Sequence, residues 1–221
     1  MAIVHIASTP DTVRWGTLPM PDDQPMVAVE SDDVLRIDTI SHEGLLEDQG
    51  RDPLAFFHAQ GVCDEDVLAD AIDIAAQAEH PQDAGPHVIT RPIEVKGAHP
   101  GDWLAIDILS LKPRVPYGVI SNRHGKGVLA EELPYGGSTI SIFARCMEYQ
   151  GRLQGVIRRT GPDAIETFRS GNIARLPDPA DGDIVFPLAP FLGIIGITPN
   201  TGERLSTVPP GDFGGNIDIN L

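Results

Sequence analysis

Positive charge is in short supply in this chain of 221 residues: Lys and Arg total 16 against 32 for Asp and Glu, giving a formal net charge of −16. A field of that sign repels phosphate backbones and anionic bilayers, which argues against nucleic acid and membrane surfaces as partners. Cysteine is scarcer still. Cys63 and Cys146 lie far apart with no C-x-x-C spacing, so neither a disulfide framework nor a thiolate zinc site is indicated, and two buried free thiols are the plainer reading. No basic segment followed by an apolar stretch opens the sequence, since Asp11 follows the short run from Met1 to Pro10; cytoplasm is the expected compartment. The longest apolar run, 184–199, is broken by Pro187, Pro190, Gly193 and Gly196 and is too short for a bilayer-spanning helix; it is expected to be buried strand and turn. Internal repeats and a dividing linker are also missing, so the chain reads as one unit over 1–221, with a subdivision conceivable near 85–100.

What is plentiful is Gly, at 23, and Pro, at 20, in a chain not poor in apolar residues, and this suits many short strands joined by tight turns. Val27 and Val29, then Leu35, Ile37 and Thr39, alternate on either side of Ser31-Asp32-Asp33, which predicts a half-buried hairpin with an acidic turn. From Ser41 to Pro53 the chain is polar and punctuated by glycine, and reads as a loop outside the core. One helix is predicted over Asp64 to His80: Asp64 is placed to cap it, Val67, Leu68, Ala71, Ile74, Ala75 and Ala78 recur at helical spacing, and Pro81 ends it. A strand at Ile93–Val95, a turn from Gly97 to Asp102 and a strand alternating through Leu104, Ile106 and Ile108 follow. Thr139–Tyr149 and Leu153–Arg158 flank Gln150-Gly151-Arg152 as a second hairpin, and Ala164–Phe168 is a short helix candidate.

Four stretches carry groups able to do chemistry. Gly85-Pro86-His87 places an imidazole at the mouth of a strand, where it can offer a neutral nitrogen to a metal or accept a proton, although taken alone an ordinary turn histidine is the favoured reading. In Pro209-Pro210-Gly211-Asp212-Phe213-Gly214-Gly215-Asn216-Ile217-Asp218, Asn216 and Asp218 fall on one side of an extended chain, where amide and carboxylate can hold a substrate amide and a metal or water; a glycine turn with an Asx cap fits the spacing equally well. Ser121 to Gly127 gathers Asn122, Arg123, His124 and Lys126 between glycines without phosphate-loop spacing. His42-Glu43 and Glu47-Asp48 are of metal-ligand or acid/base type. A G-x-S-x-G elbow is absent, which favours an activated water over a covalent serine route.

The stretch G-P-H-V-I-T-R-P-I-E-V-K-G-A-H-P-G-D-W-L (85–104) resembles the G-x-H-x-x-T-G-P-I-x-V-x-G-A-x-P-G-D-x-L run of the acetamidase/formamidase family. P-P-G-D-F-G-G-N-I-D (209–218) is similar to that family's P-P-x-x-x-G-G-N-x-D. Ile194 to Pro199 looks like its G-x-x-G-x-x-P segment, and 41–53 with 117–127 resemble a bacterial branch, so the likeness runs along the whole chain. It implies a mainly β protein, a β-sandwich or barrel-like assembly with one clear helix at about 65–80, that hydrolyses small linear amides to acid and ammonia. It further implies a homo-oligomer and a divalent metal, zinc in the first place with calcium as the alternative. By matching position, His87 and Asp218 become the metal and water-activating residues, Asn216 a neighbouring contact, and His42, Glu43, Asn122 and His124 further members of a substrate pocket.

Departures accompany the likeness. Arg91 stands where the family has glycine, Phe213 where many members have histidine before Gly-Gly-Asn, and Arg14 where histidine is common before Trp15-Gly16, which points to a different substrate. The family continues into a G-D-x-H-x-x-Q-G-x-G-E region not found before Leu221, so the chain reads as the N-terminal β-rich portion, with a second polypeptide as a possible source of the remainder. Two other readings stay open: a non-catalytic binding or scaffold module derived from the family, and an unrelated ligand-binding sandwich in which the Gly214-Gly215 turn lies exposed and far from His87.

Overall fold

The computed structural model describes residues 3–158 and 178–217, and within them the chain is mainly β. Twelve strands and two α-helices follow in the order β1 (Ile3–Ile6), β2 (Val13–Trp15), β3 (Val27–Val29), β4 (Val34–Ile37), α1 (Pro53–His58), α2 (Ala69–Gln77), β5 (Val88–Thr90), β6 (Ile93–Val95), β7 (Tyr117–Asn122), β8 (Ile140–Tyr149), β9 (Arg152–Ile157), β10 (Ile184–Pro187), β11 (Ile194–Gly196) and β12 (Gly214–Asn216). The strands form several small sheets among the described residues and close no barrel. Two compact units result, one from residues 1–42, 73–111 and 191–221, the other from 43–72 and 112–190.

The first unit is built from two-stranded ladders. β2 runs antiparallel to β5, and β11 to β12, while β1 and β4, and β3 and β6, pair parallel. This corrects the expected hairpin at 27–39: Asp32 turns the chain at φ 70, yet β3 and β4 each take a partner distant in sequence. A turn with one left-handed residue can reverse a chain without aligning the strands it joins. Trp15, Val29, Ile74 and Thr207 are buried here.

The second unit holds one sheet in the order β10-β9-β8-β7, all antiparallel. Gln150 and Gly151 both take positive φ at the β8–β9 turn, the geometry that matches strand twist, and the expected hairpin is found there. Phe57, Val62, Val67 and Tyr117 form a cluster on one face of this sheet; the rings of Phe57 and Tyr117 lie 5.1 Å apart, and those of Tyr117 and Phe143 5.2 Å. The Tyr117 hydroxyl donates to the Asp66 carbonyl, and burial raises its pKa.

The helix forms with altered bounds. Asp64–Asp66 make a 3₁₀ turn, Val67 is extended, and α2 begins only at Ala69, so Asp64 does not cap it. Val67 obtains its burial in the Phe57 cluster, a tertiary contact that overrides helical spacing. A second helix also forms: in α1 the Asp52 carboxylate accepts from the Ala55 N–H at 3.0 Å and Pro53 takes the first helical position. The loop expected at 41–53 contributes Leu45 and Leu46 to the core. The strand expected at 104–108 does not form; 102–111 is exposed throughout, with Trp103 100% and Leu109 74% accessible. The 184–199 run does supply β10 and β11, but Ile184, Val185 and Ile197 are exposed rather than buried. Ala164–Phe168 lies outside the described residues.

Candidate functional site

The first unit fixes His87 through its backbone. The three carbonyls ending in this residue are all occupied: Gly85 O by His80 Nε2 at 3.0 Å, Pro86 O by the Trp15 indole N–H at 2.9 Å, and His87 O by Gly16 N–H at 2.8 Å. The Trp15 and His80 rings stack at 4.5 Å, so the clamp is itself packed. Two glycines make the close approach possible. Gly16 has φ +80, and a Cβ on it would come 2.4 Å from Ala84 Cβ; one on Gly85 would come 2.4 Å from Thr207 Oγ1.

The imidazole then meets two partners. His87 Nδ1 lies 3.0 Å from Thr207 Oγ1, a hydroxyl whose residue is 0% accessible. The His42 ring stands edge-on to it, with centroids 5.3 Å apart and planes at 79°. Burial lowers the His87 pKa below its ordinary 6.5, the neighbouring His42 lowers it further, and a hydrogen bond to the Thr207 backbone opposes both. At neutral pH His87 is an uncharged imidazole with a fixed ring, the form that binds a metal or accepts a proton.

The glycine-rich strand joins this group within the same unit. Gly214 and Gly215 have φ +87 and +95, and a Cβ on Gly214 would strike Ile195 O at 2.6 Å, so β12 can pair with β11 only as glycine. Asn216 donates from Nδ2 to Val208 O at 2.9 Å, one residue from Thr207. Gly215 is buried, and the connection through Val208 and Thr207 leads to His87, both against the reading of an exposed, distant turn. Asp218 lies outside the described residues.

Glu43, in the second unit, is the centre of a separate polar network. Its Oε2 accepts from Ser121 Oγ at 2.6 Å and Gln49 Nε2 at 2.5 Å, and Arg123 donates to both its oxygens at 3.2 and 3.3 Å. Ser141 Oγ lies 2.9 Å from Ser121 Oγ, while Arg123 Nε and Thr139 Oγ1 both reach Asp48. Burial works against the Arg123 charge, but the bonds to Glu43 and Asp48 outweigh it and raise its pKa. This arrangement ties 43–49 to β7 and β8. Asn122 and His124 are exposed in this unit, Asn122 at the end of β7 opposite Ile140.

Of the expected site residues, His42 and His87 are brought together, Asn216 is linked to them through Val208 and Thr207, and Glu43 is committed to the Ser121, Gln49 and Arg123 network. The roles of Thr207 and Trp15 depend on contacts 120 and 71 residues apart, and that of His80, five residues from Gly85, on its stacking against the distant Trp15, so residue patterning does not disclose them, although W-G before a G-P-H turn is a visible pairing. Two departures from the family pattern are braces: Arg14 and Arg204 both bind Asp23, lowering its pKa, and Arg91 donates to the Asp11 carbonyl. The Phe213 ring packs on the turn glycines, 2.4 Å from the position of a Cβ on Gly211.

As for a metal, His42 and His87 have the chemistry of two imidazole ligands, half of a tetrahedral set. Among the described residues no third His, Cys, Asp or Glu joins them. None of the helices described is long and apolar enough to cross a membrane.

Residues 63–202 match the profile of the Acetamidase/Formamidase family, and this chain belongs to that family. A curated relative, an acetamidase of Mycolicibacterium smegmatis, is 30% identical over 167 residues, covering 60% of this chain. The match spans 40% of that relative's own length.

Proposed function

We propose that the chain is part of an amide hydrolase, with His87 at its working centre. Family membership and the acetamidase relative support the reaction class. The observation that carries the assignment of place is a half-buried, neutral imidazole, held by three occupied carbonyls and a buried threonine, edge-on to a second histidine.

In this reading a water attacks the carbonyl carbon of a small linear amide such as formamide or acetamide, and its proton passes to His87. With Nδ1–H donating to Thr207 Oγ1, the lone pair of Nε2 is the one that accepts. Collapse of the tetrahedral intermediate breaks the C–N bond; the proton returns to the departing nitrogen, and acid and ammonia leave. Asn216, its Nδ2 held by Val208 O, has its Oδ1 available to orient the amide N–H. Asp218 completes the set in this proposal; a divalent metal, zinc first and calcium second, would be held by His87 Nε2, Asp218 and, on the geometry above, His42, and with Nε2 so engaged the water's proton would pass to the Asp218 carboxylate in place of His87. Such an ion lowers the pKa of bound water and polarises the carbonyl.

The remaining parts of the proposal concern partners and place. An apolar stretch as bare as 102–111 supports association, either as a homo-oligomer or with the polypeptide supplying the remainder of the relative's length. Cys63 and Cys146 form no disulfide with one another, which fits cytoplasm. The test is ammonia release by the native full-length gene product over a panel of amides, with intact mass and metal content on the same sample. Release of ammonia together with stoichiometric metal is expected. No release from any amide sinks the reaction and leaves the scaffold reading.

A further inference from the structure

Between β6 and β7 the chain carries a strand sequence that has no sheet. Residues 103–111 form no regular element, and none of their backbone N–H or C=O groups is bonded among the described residues. The sequence itself is that of a strand: Leu104, Ile106 and Ile108 alternate with Ala105 and Asp107, and Asp107 is the one charge in the stretch. Every residue of it is exposed, Ile106 at 52% and Trp103 at 100%. Together Trp103, Leu104, Ile106, Ile108, Leu109 and Leu111 leave about 700 Å² of apolar surface in water, more than the largest patch of a typical monomer and close to the roughly 800 Å² per partner of a stable interface. An unbonded, apolar strand sequence of this kind is completed by pairing with another strand.

The pattern of side chains selects the occupant. Antiparallel pairing of 103–111 with the same stretch of a second copy, about a two-fold axis at Ile106, sets Ile106 opposite Ile106, Leu104 opposite Ile108 and Trp103 opposite Leu109. The aliphatic side chains at 104, 106 and 108 of both copies then share one face, and Asp107 falls opposite Ala105, which is too small to cover its carboxylate from water. Neighbouring registers fail. Centring on Asp107 opposes two carboxylates, centring on Ala105 sets Asp102 against Ile108 and Asp107 against Trp103, and a slip by one residue sets Asp107 against Ile106 or Leu104. A formal charge of −16 on each copy opposes contact between them, and a stretch with a single carboxylate keeps most of that repulsion out of the interface.

We propose that residues 103–111 are a dimerisation segment, pairing antiparallel with the same residues of a second copy of this chain with Ile106 on the two-fold axis. This rests on the association reading of the stretch given above and commits it to a second copy; it is independent of the chemistry at His87.

The experiment is sedimentation velocity on the native full-length protein, with intact mass giving the size of one chain, and oxidation of two cysteine variants with wild type as the control for Cys63 and Cys146. Wild type is expected at twice the mass of one chain, or an even multiple of it. Ile106→Asp, which sets two carboxylates face to face on the axis, is expected at half the wild-type mass with an unchanged circular dichroism spectrum. Ile106→Cys is expected to oxidise to a covalent dimer, because directly opposed residues of antiparallel strands lie within disulfide reach, while Ala105→Cys, opposite Asp107, stays a single chain on denaturing gels. A wild type that sediments as one chain overturns the proposal, as does a particle holding one copy beside a different polypeptide. An Ile106→Asp protein of wild-type mass, an Ile106→Cys protein that gives no covalent dimer, or an Ala105→Cys protein that gives as much, also overturns it. Should Ile106→Asp not fold, the two cysteine variants decide. Ammonia release by the same wild-type sample keeps this result apart from the hydrolase reading: an inactive dimer leaves the segment standing, and an active monomer removes it and leaves the hydrolase.

Discussion

Replacing Thr207 by Val tests how His87 is held. The two side chains have nearly the same shape, so the substitution removes a hydroxyl from a 0% accessible position without opening a cavity. What it deletes is the 3.0 Å bond to His87 Nδ1, leaving a half-buried ring nitrogen without its partner. Such a loss costs about 1–2 kcal/mol, which for a chain of this size lowers Tm by about 3–6 °C. Thr207→Ser is the control, since it keeps the hydroxyl and loses a buried methyl, at a cost of about 1 kcal/mol. Stability alone does not separate the two variants cleanly. The His87 ring signals, followed by NMR, do: Thr207→Val should shift them as Nδ1 loses its hydroxyl partner and Thr207→Ser should leave them in place, while the Thr207 backbone bond that raises the His87 pKa is kept in both. If both variants keep the wild-type His87 ring signals and Thr207→Val melts with wild type, the hydroxyl does not hold the imidazole and the positioning argument fails.

Gly85→Ala puts a Cβ 2.4 Å from Thr207 Oγ1 and should cost about 1–3 kcal/mol by urea unfolding, with the His42–His87 contact disturbed; tolerance of alanine would show that the approach is looser than described. Glu43→Gln removes the charge that Arg123 and Ser121 address and should cost about 2 kcal/mol in the same assay, whereas an unchanged midpoint would show the network to be incidental. The His87 pKa is lowered on folding, so its contribution to stability is complete above 6.5 and is lost as pH falls from there through the folded value. Wild type should therefore lose stability with acid in that window, and His87→Gln should lose less; parallel curves would contradict the shift.

How far the sequence discloses this protein depends on the range of the interactions. Turn chemistry is local, so Gln150-Gly151 and the glycine pair 214–215 were readable, as was the placing of His87 after a forced turn. Pairing partners are not local: β3 and β4 have the alternation of a hairpin, but the chain finds β6 and β1 for them. Apolar spacing at 104–108 and at Val67 describes what the residues favour; the first finds no neighbouring strand, and the second packs on Phe57 and Tyr117 in place of extending the helix. At the site, residue type was enough to nominate His42 and His87. Their support by Thr207 and Trp15 belongs to contacts that only folding creates.

The central claim is that His87 carries the chemistry. The most direct measurement is ammonia release by native full-length protein and by its His87→Gln variant, compared at equal folded concentration by circular dichroism. The account predicts at least a hundredfold loss in kcat for the variant; a folded variant that hydrolyses amides at the wild-type rate contradicts it.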